Sequence, residues 1–214
     1  MDFLPDTTVL LAFSAAAITL TLTPGPDMTL FLSRALIQGR RAGFAALAGA
    51  STGLVIHTLL AAYGLSALLA ASTTAFRFVT IAGAIYLVWL AVQTLRHGSA
   101  LTLETADRKV SAGLTRTWAT GLGINLLNPK IVLFFVTFLP QFVDAHDANA
   151  RSQLVFLGLY FVALSLPFTV TMIALAEKFS AALKRSPRAM RAMDWTFAGI
   201  MGGFALRIAA TLAR

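Results

Sequence analysis

Two ionisable residues stand where an apolar sequence gives them no water: Asp27, in Thr23-Pro24-Gly25-Pro26-Asp27, and Lys130, in Asn125-Leu126-Leu127-Asn128-Pro129-Lys130. A charge at the centre of a bilayer costs at least ~2.5 to 3.5 kcal/mol on insertion scales, so such residues pair with one another or line a water-filled path. Gly25-Pro26 and Asn128-Pro129 each read as an N-cap followed by the first helical residue, which places Asp27 and Lys130 in the opening turn of a helix. There the helix dipole favours a carboxylate and disfavours an ammonium by ~0.3 to 1 kcal/mol, so Lys130 sits where helix stability alone would not put it. Two readings follow. The charges form a structural ion pair, or they receive a zwitterion, whose carboxylate meets Lys130 and the free N–H groups after Asn128-Pro129 while its ammonium faces Asp27.

The elements that must position these residues are transmembrane helices. The apolar run from Thr7 to Ile37 would measure about 46 Å as one straight helix, well beyond the roughly 30 Å hydrocarbon core. Pro24 and Pro26 each remove a backbone donor, and Gly25 tolerates the angles of a break, so the run is predicted to be a broken span with halves from Thr7 to Leu22 and from Pro26. An interrupted helix exposes backbone groups that lipid cannot satisfy, so the break must lie in protein or line a cavity. Further apolar blocks run from about Gly43 to Ala70, Thr74 to Leu95, Trp118 to Phe142 (broken at Asn128-Pro129), Gln153 to Ala176 (kinked by Pro167) and Trp195 to Leu212, the last interrupted by Arg207. Six spans are expected. In the second block Ala45, Gly49, Gly53, His57 and Ala61 recur every fourth residue, a small-residue ridge that lets another backbone approach. His57 on that ridge is either a packed, hydrogen-bonded ring or a path-lining proton carrier.

Of the 17 lysines and arginines, twelve fall in the loops after the first, third and fifth blocks, four on the other side, and Lys130 lies within a span. By the positive-inside rule both termini are then periplasmic. The acidic start, Asp2 and Asp6, lacks the basic region of a secretory signal, so the first helix is expected to persist in the mature chain.

Laying Pro26–Phe31 on Pro129–Phe134 also brings Gln38 onto Gln141. Each copy lies in the first helix of a three-helix half, and three spans per half force the halves into opposite orientations. The expected architecture is therefore one all-α membrane domain: repeat 1 over about 1–97, a polar linker over 98–117 and repeat 2 over 118–214. Paired interrupted helices in inverted halves are the sequence signature of a transporter's substrate site.

Composition agrees with a polytopic membrane protein: 57% of residues are hydrophobic, 12% are charged and the mean hydropathy is +0.77, too apolar for a soluble core to hide. The net charge of +8 is carried between apolar blocks without a basic face bearing aromatics, which argues against nucleic acid. Zero cysteines exclude disulfides and thiol chemistry. An intramembrane enzyme is disfavoured, since His57, His97 and His146 fall in different segments and no metalloprotease or serine-elbow motif is present. A divalent-metal exporter would need more than one membrane carboxylate, and Asp27 is the only one expected. No cofactor is implied.

The motif Thr23–Asp27, the turn Gln38–Gly43 (QGRRAG) and the stretch Asn125–Phe142 (NLLNPKIVLFFVTFLPQF), with Gly83, Tyr86 and Leu87, resemble the LysE/RhtB family of amino-acid exporters. The resemblance covers nearly the whole chain. It implies a bacterial inner-membrane protein that exports amino acids or their derivatives, driven by a proton gradient and often dimeric, without choosing among side chains. In a proton-coupled cycle Asp27 is the expected carrier.

Overall fold

The computed structural model describes residues 4–65, 67, 71–97, 113–144 and 147–212. Most of the expected linker and His146 lie outside them, as do the side chains of Arg77, Leu87, His97 and Arg207.

The chain opens with α1 (Thr7–Leu22) and α2 (Pro26–Gln38), bent by 51° at the Thr23–Gly25 break. Thr23 closes α1 by donating its N–H to the Thr19 carbonyl, and the prolines on either side of Gly25 then supply no donor. Gly25 itself is extended (φ −171°), a conformation any residue adopts. What the glycine provides is open space: a Cβ there would stand in contact with the Lys130 ammonium at 3.6 Å and narrow the approach to it. Gly39, by contrast, has φ +88°, and this left-handed residue alone joins α2 to α3 (Arg40–Leu59) where a longer basic turn is predicted.

α3 runs on through a π-helical segment (Leu60–Leu65). α4 spans Thr73–His97. α5 (Leu114–Leu127) and α6 (Pro129–Leu133) are bent by 52° at Asn128, and α6 continues through a π segment (Phe134–Phe138) and a 3-10 turn (Leu139–Phe142). α7 (Ala150–Ala174), α8 (Ala176–Arg185) and α9 (Pro187–Leu212) complete the chain. No strand occurs among the described residues.

By length and hydropathy Arg40–Gly64 and Ala150–Ala174 each reach across a bilayer, and each bent pair makes one further span, giving up to four. The apolar stretch of α4 among the described residues is Ile81–Arg96, and α9 opens with Arg188 and Arg191, so between two and four of the six expected spans are met by length and composition among the described residues. Two details correct the sequence reading. The basic segment after the fifth block is the helix α8, not a loop, and Asp194, just before the expected last block, is buried in α9.

α3 is the centre, packing most extensively on α5 and also on α2 and α7. The contact exists because both partners carry glycine where they cross. Gly49 sits against the Trp118 carbonyl of α5, and Gly121 of α5 sits against the Ala46 carbonyl of α3. Gly53 meets the Asn125 side chain rather than backbone, and Gly158 of α7 meets Thr58. A methyl at Gly49 overlaps backbone that cannot swing away, so Gly49→Ala is expected to destabilise by roughly 1 to 3 kcal/mol. An unchanged melting temperature in detergent, with normal insertion, would show that the helices can part there at no cost. α7 continues as one helix through Pro167; hydroxyls flank the missing donor, with Ser165 bonding the Val162 carbonyl and Thr169 that of Ser165.

Candidate functional site

The two breaks meet. Thr23, Gly25, Asp27, Asn125, Asn128 and Lys130 line one cavity of about 70 Å3. The prolines Pro24, Pro26 and Pro129 shape its backbone without lining it.

The local helix physics explains the cross-bracing. Asn128 caps α6: its Oδ1 accepts from the Lys130 backbone N–H at 3.1 Å, while Ile131 donates its N–H to the Asn128 carbonyl at 3.0 Å. Its remaining amide group is then free to reach across, and Nδ2 donates to Asp27 Oδ2 at 3.0 Å. Asn125, one turn before the break, donates to the same oxygen at 3.0 Å. Asp27 is thus held by two neutral amides of the other half, and its second oxygen, Oδ1, is buried with no hydrogen-bond partner.

Lys130 makes the reciprocal crossing. Its ammonium donates to the Thr23 carbonyl at 2.6 Å, lies beside Gly25 and stands over the Phe197 ring of α9 at 5.8 Å from its centroid. The carbonyl exists as an acceptor because the break after Thr23 ends α1. These hydrogen bonds seat each charge on the opposite break rather than on the other charge. Both side chains keep partial exposure because they face the cavity.

One expectation from the sequence is overturned. The N–H groups at the start of α6 are not free, since Lys130 and Ile131 both direct theirs to Asn128. The start of α2 is the uncapped one: Gly25 makes no side-chain cap, and the Lys130 ammonium points there.

His57 does not line the cavity. Its ring is buried, stacks on Phe135 at 5.5 Å and places Nε2 3.4 Å from the Asn125 carbonyl, so it backs the residue that holds Asp27. Lining residues that sequence reasoning passed over come from α3 and α7: Ser51, Ser165, Thr169 and Met172. The signal available for them was the i, i+4 hydroxyl pair Ser165 and Thr169 astride Pro167. On one side of the cavity Phe134, Phe135, Phe138, Phe142 and Phe161 are buried in a continuous aromatic cluster with Phe13.

Chemically, the cavity offers a cation beside a helix N-terminus and an anion with one unsatisfied oxygen, a polarity matched by a molecule carrying both charges.

Known proteins are similar to this chain over most of its length. The family model for the LysE type translocator matches residues 18–211. A homoserine/homoserine lactone efflux protein of Salmonella typhimurium is 30% identical over 88% of this chain and 90% of its own. A leucine efflux protein of Klebsiella pneumoniae is 28% identical over 93% of each chain, and an uncharacterized membrane protein of Vibrio cholerae is 33% identical over 97% of this chain and 100% of its own. No solved structure matches.

Proposed function

The chain belongs to the LysE type translocator family, and from that premise we propose that it is a proton-coupled antiporter of the bacterial inner membrane that exports amino acids or their derivatives from the cytoplasm. The observation that carries the reading is the cavity in which Asp27 and Lys130 arrive from two helix breaks and are each braced by the opposite one. The substrate's α-carboxylate sits between the Lys130 ammonium and the uncapped start of α2, where the helix dipole adds to the attraction. Its ammonium donates to the orphaned Oδ1 of Asp27. When no substrate is present, a proton on Asp27 takes that place, which couples the two fluxes.

The two halves are inverted repeats with both termini periplasmic. Supporting this are the matching bends of 51° and 52° at equivalent Pro-containing motifs and the bias of lysine and arginine toward one side. Rocking of one half against the other about the breaks would expose the cavity to each side in turn, with the aromatic cluster around Phe134 closing the outer path.

The test is transport into energised everted vesicles, scanning labelled amino acids, homoserine lactone and divalent metal ions, alongside reporter fusions at the C-terminus. Accumulation of at least one amino acid with a free α-carboxylate that collapses with a protonophore is expected, with the fusion active only outside the cytoplasm. Accumulation of a metal ion and of no amino compound would sink the reading, and a cytoplasmically active fusion would sink the topology.

A further inference from the structure

A second and larger cavity, of about 590 Å3, adjoins the first at the elbow between α7 and α8. Thr21, Met28, Thr169 and Met172 line both and so form the partition between them. We propose that the larger cavity receives the substrate's side chain and selects amino acids whose side chains are uncharged and apolar. The proposal rests on the reading of the smaller cavity as the head-group site.

Size makes the division necessary. On the scale where one water needs roughly 10 to 15 Å3, the 70 Å3 cavity admits about five to seven waters. At about one heavy atom per water, that is room for an ammonium, an α-carbon, a carboxylate and at most about two side-chain carbons. A longer side chain must leave the polar cavity, and the partition gives it a way. Met28 and Met172 are unbranched thioethers that repack easily, and Thr21 and Thr169 each already bond a carbonyl of their own helix, so neither presents a free donor to the passing chain.

The chemistry beyond the partition sets the preference. Pro167, Phe168, Leu175 and Phe179 supply its walls, and no carboxylate lines it among the described residues. A lysine ammonium entering would lose water and meet no anion; the ionisable residue that does line it, Lys178, repels it and, being exposed, is too screened by solvent to offset the water an aspartate carboxylate gives up. A branched or straight aliphatic chain exchanges water for carbon.

The test uses the full-length protein in detergent micelles, reading affinity from ligand-induced thermal stabilisation by glycine, alanine, 2-aminobutyrate, norvaline, leucine, lysine and aspartate, with N-acetyl-leucine and leucine methyl ester as head-group controls. Affinity is expected to rise about fourfold per added methylene from alanine to norvaline, with leucine far above lysine and aspartate and both controls inactive. Thr171→Asp, at an exposed position lining the larger cavity, places a carboxylate there and should shift the leucine-to-lysine ratio at least about tenfold toward lysine. A flat series with inactive controls would overturn the proposal while leaving the head-group site standing. Lysine or aspartate binding tightest in the unaltered protein overturns it equally. Controls that bind as well as leucine overturn the head-group reading, and the proposal with it.

Discussion

Lys130→Met and Asp27→Asn should each reduce export by at least about 30-fold while the protein still inserts. Truncating one member of a buried, hydrogen-bonded charge contact costs about 2 to 5 kcal/mol, and about 1.4 kcal/mol is a factor of ten in affinity. Lys130→Met removes the only cation that lines the cavity among the described residues and leaves the Thr23 carbonyl without the donor now 2.6 Å away. Asp27→Asn is the gentler change for the fold. An asparagine carbonyl can still accept from Asn125 and Asn128, but its amide nitrogen offers the substrate's ammonium a donor in place of an acceptor. The checks are surface-exposed protein by immunodetection and export by vesicle flux. Near-normal flux in either variant would place substrate binding elsewhere in the chain.

Those two residues are legible in the sequence because their surroundings are extreme: a carboxylate and an ammonium each directly after a proline, in apolar blocks, at places that coincide when one motif is laid on the other. The convergence of Thr23, Gly25, Asn125 and Asn128 follows from the same logic, since lipid tolerates a broken helix only where the break is buried. The family resemblance carried by the TPGPD and NPK motifs is borne out by the match over residues 18–211. What the sequence hides has physical reasons. Ser51, Ser165 and Thr169 are single hydroxyls on long apolar helices, and such residues ordinarily bond the carbonyl one turn back; only the packing of α3 and α7 against the breaks turns them to the cavity. Charge alone makes the segment after Ala174 read as a loop, yet its Phe179 packs on the core that contains Met28 and Phe31, and this anchor makes it the helix α8. Asp194 falls just outside the last apolar block for the same reason, although packing buries it. The N–H groups after Pro129 look free if a cap is inferred without asking what its side chain does. Asn128 occupies them on one side and holds Asp27 with the other.

Removing both charges at once separates the two roles they can play. If Asp27 and Lys130 serve only to neutralise each other across the halves, then Asp27→Asn combined with Lys130→Met leaves no uncompensated charge, and both stability and transport should return toward normal. If they hold the two ends of a zwitterion, the outcomes divide. Each single variant leaves one unmatched charge facing the cavity, a loss below the roughly 3 to 5 kcal/mol of a dry interior because both side chains keep partial exposure, and the double variant should regain most of that, giving a non-additive cycle in melting temperature. The asparagine introduced by Asp27→Asn keeps an acceptor for the two amides across the break, and the thioether introduced by Lys130→Met adds apolar contact to Phe197, now faced by the ammonium. Export should nevertheless stay as low as in the worse single variant, because the α-carboxylate has lost its cation and the α-ammonium its anion. The expected result is therefore recovery of folding without recovery of flux. Flux that rises together with stability in the double variant would make the pair a brace between the halves, and would require the substrate to be bound by the hydroxyls of α3 and α7 instead.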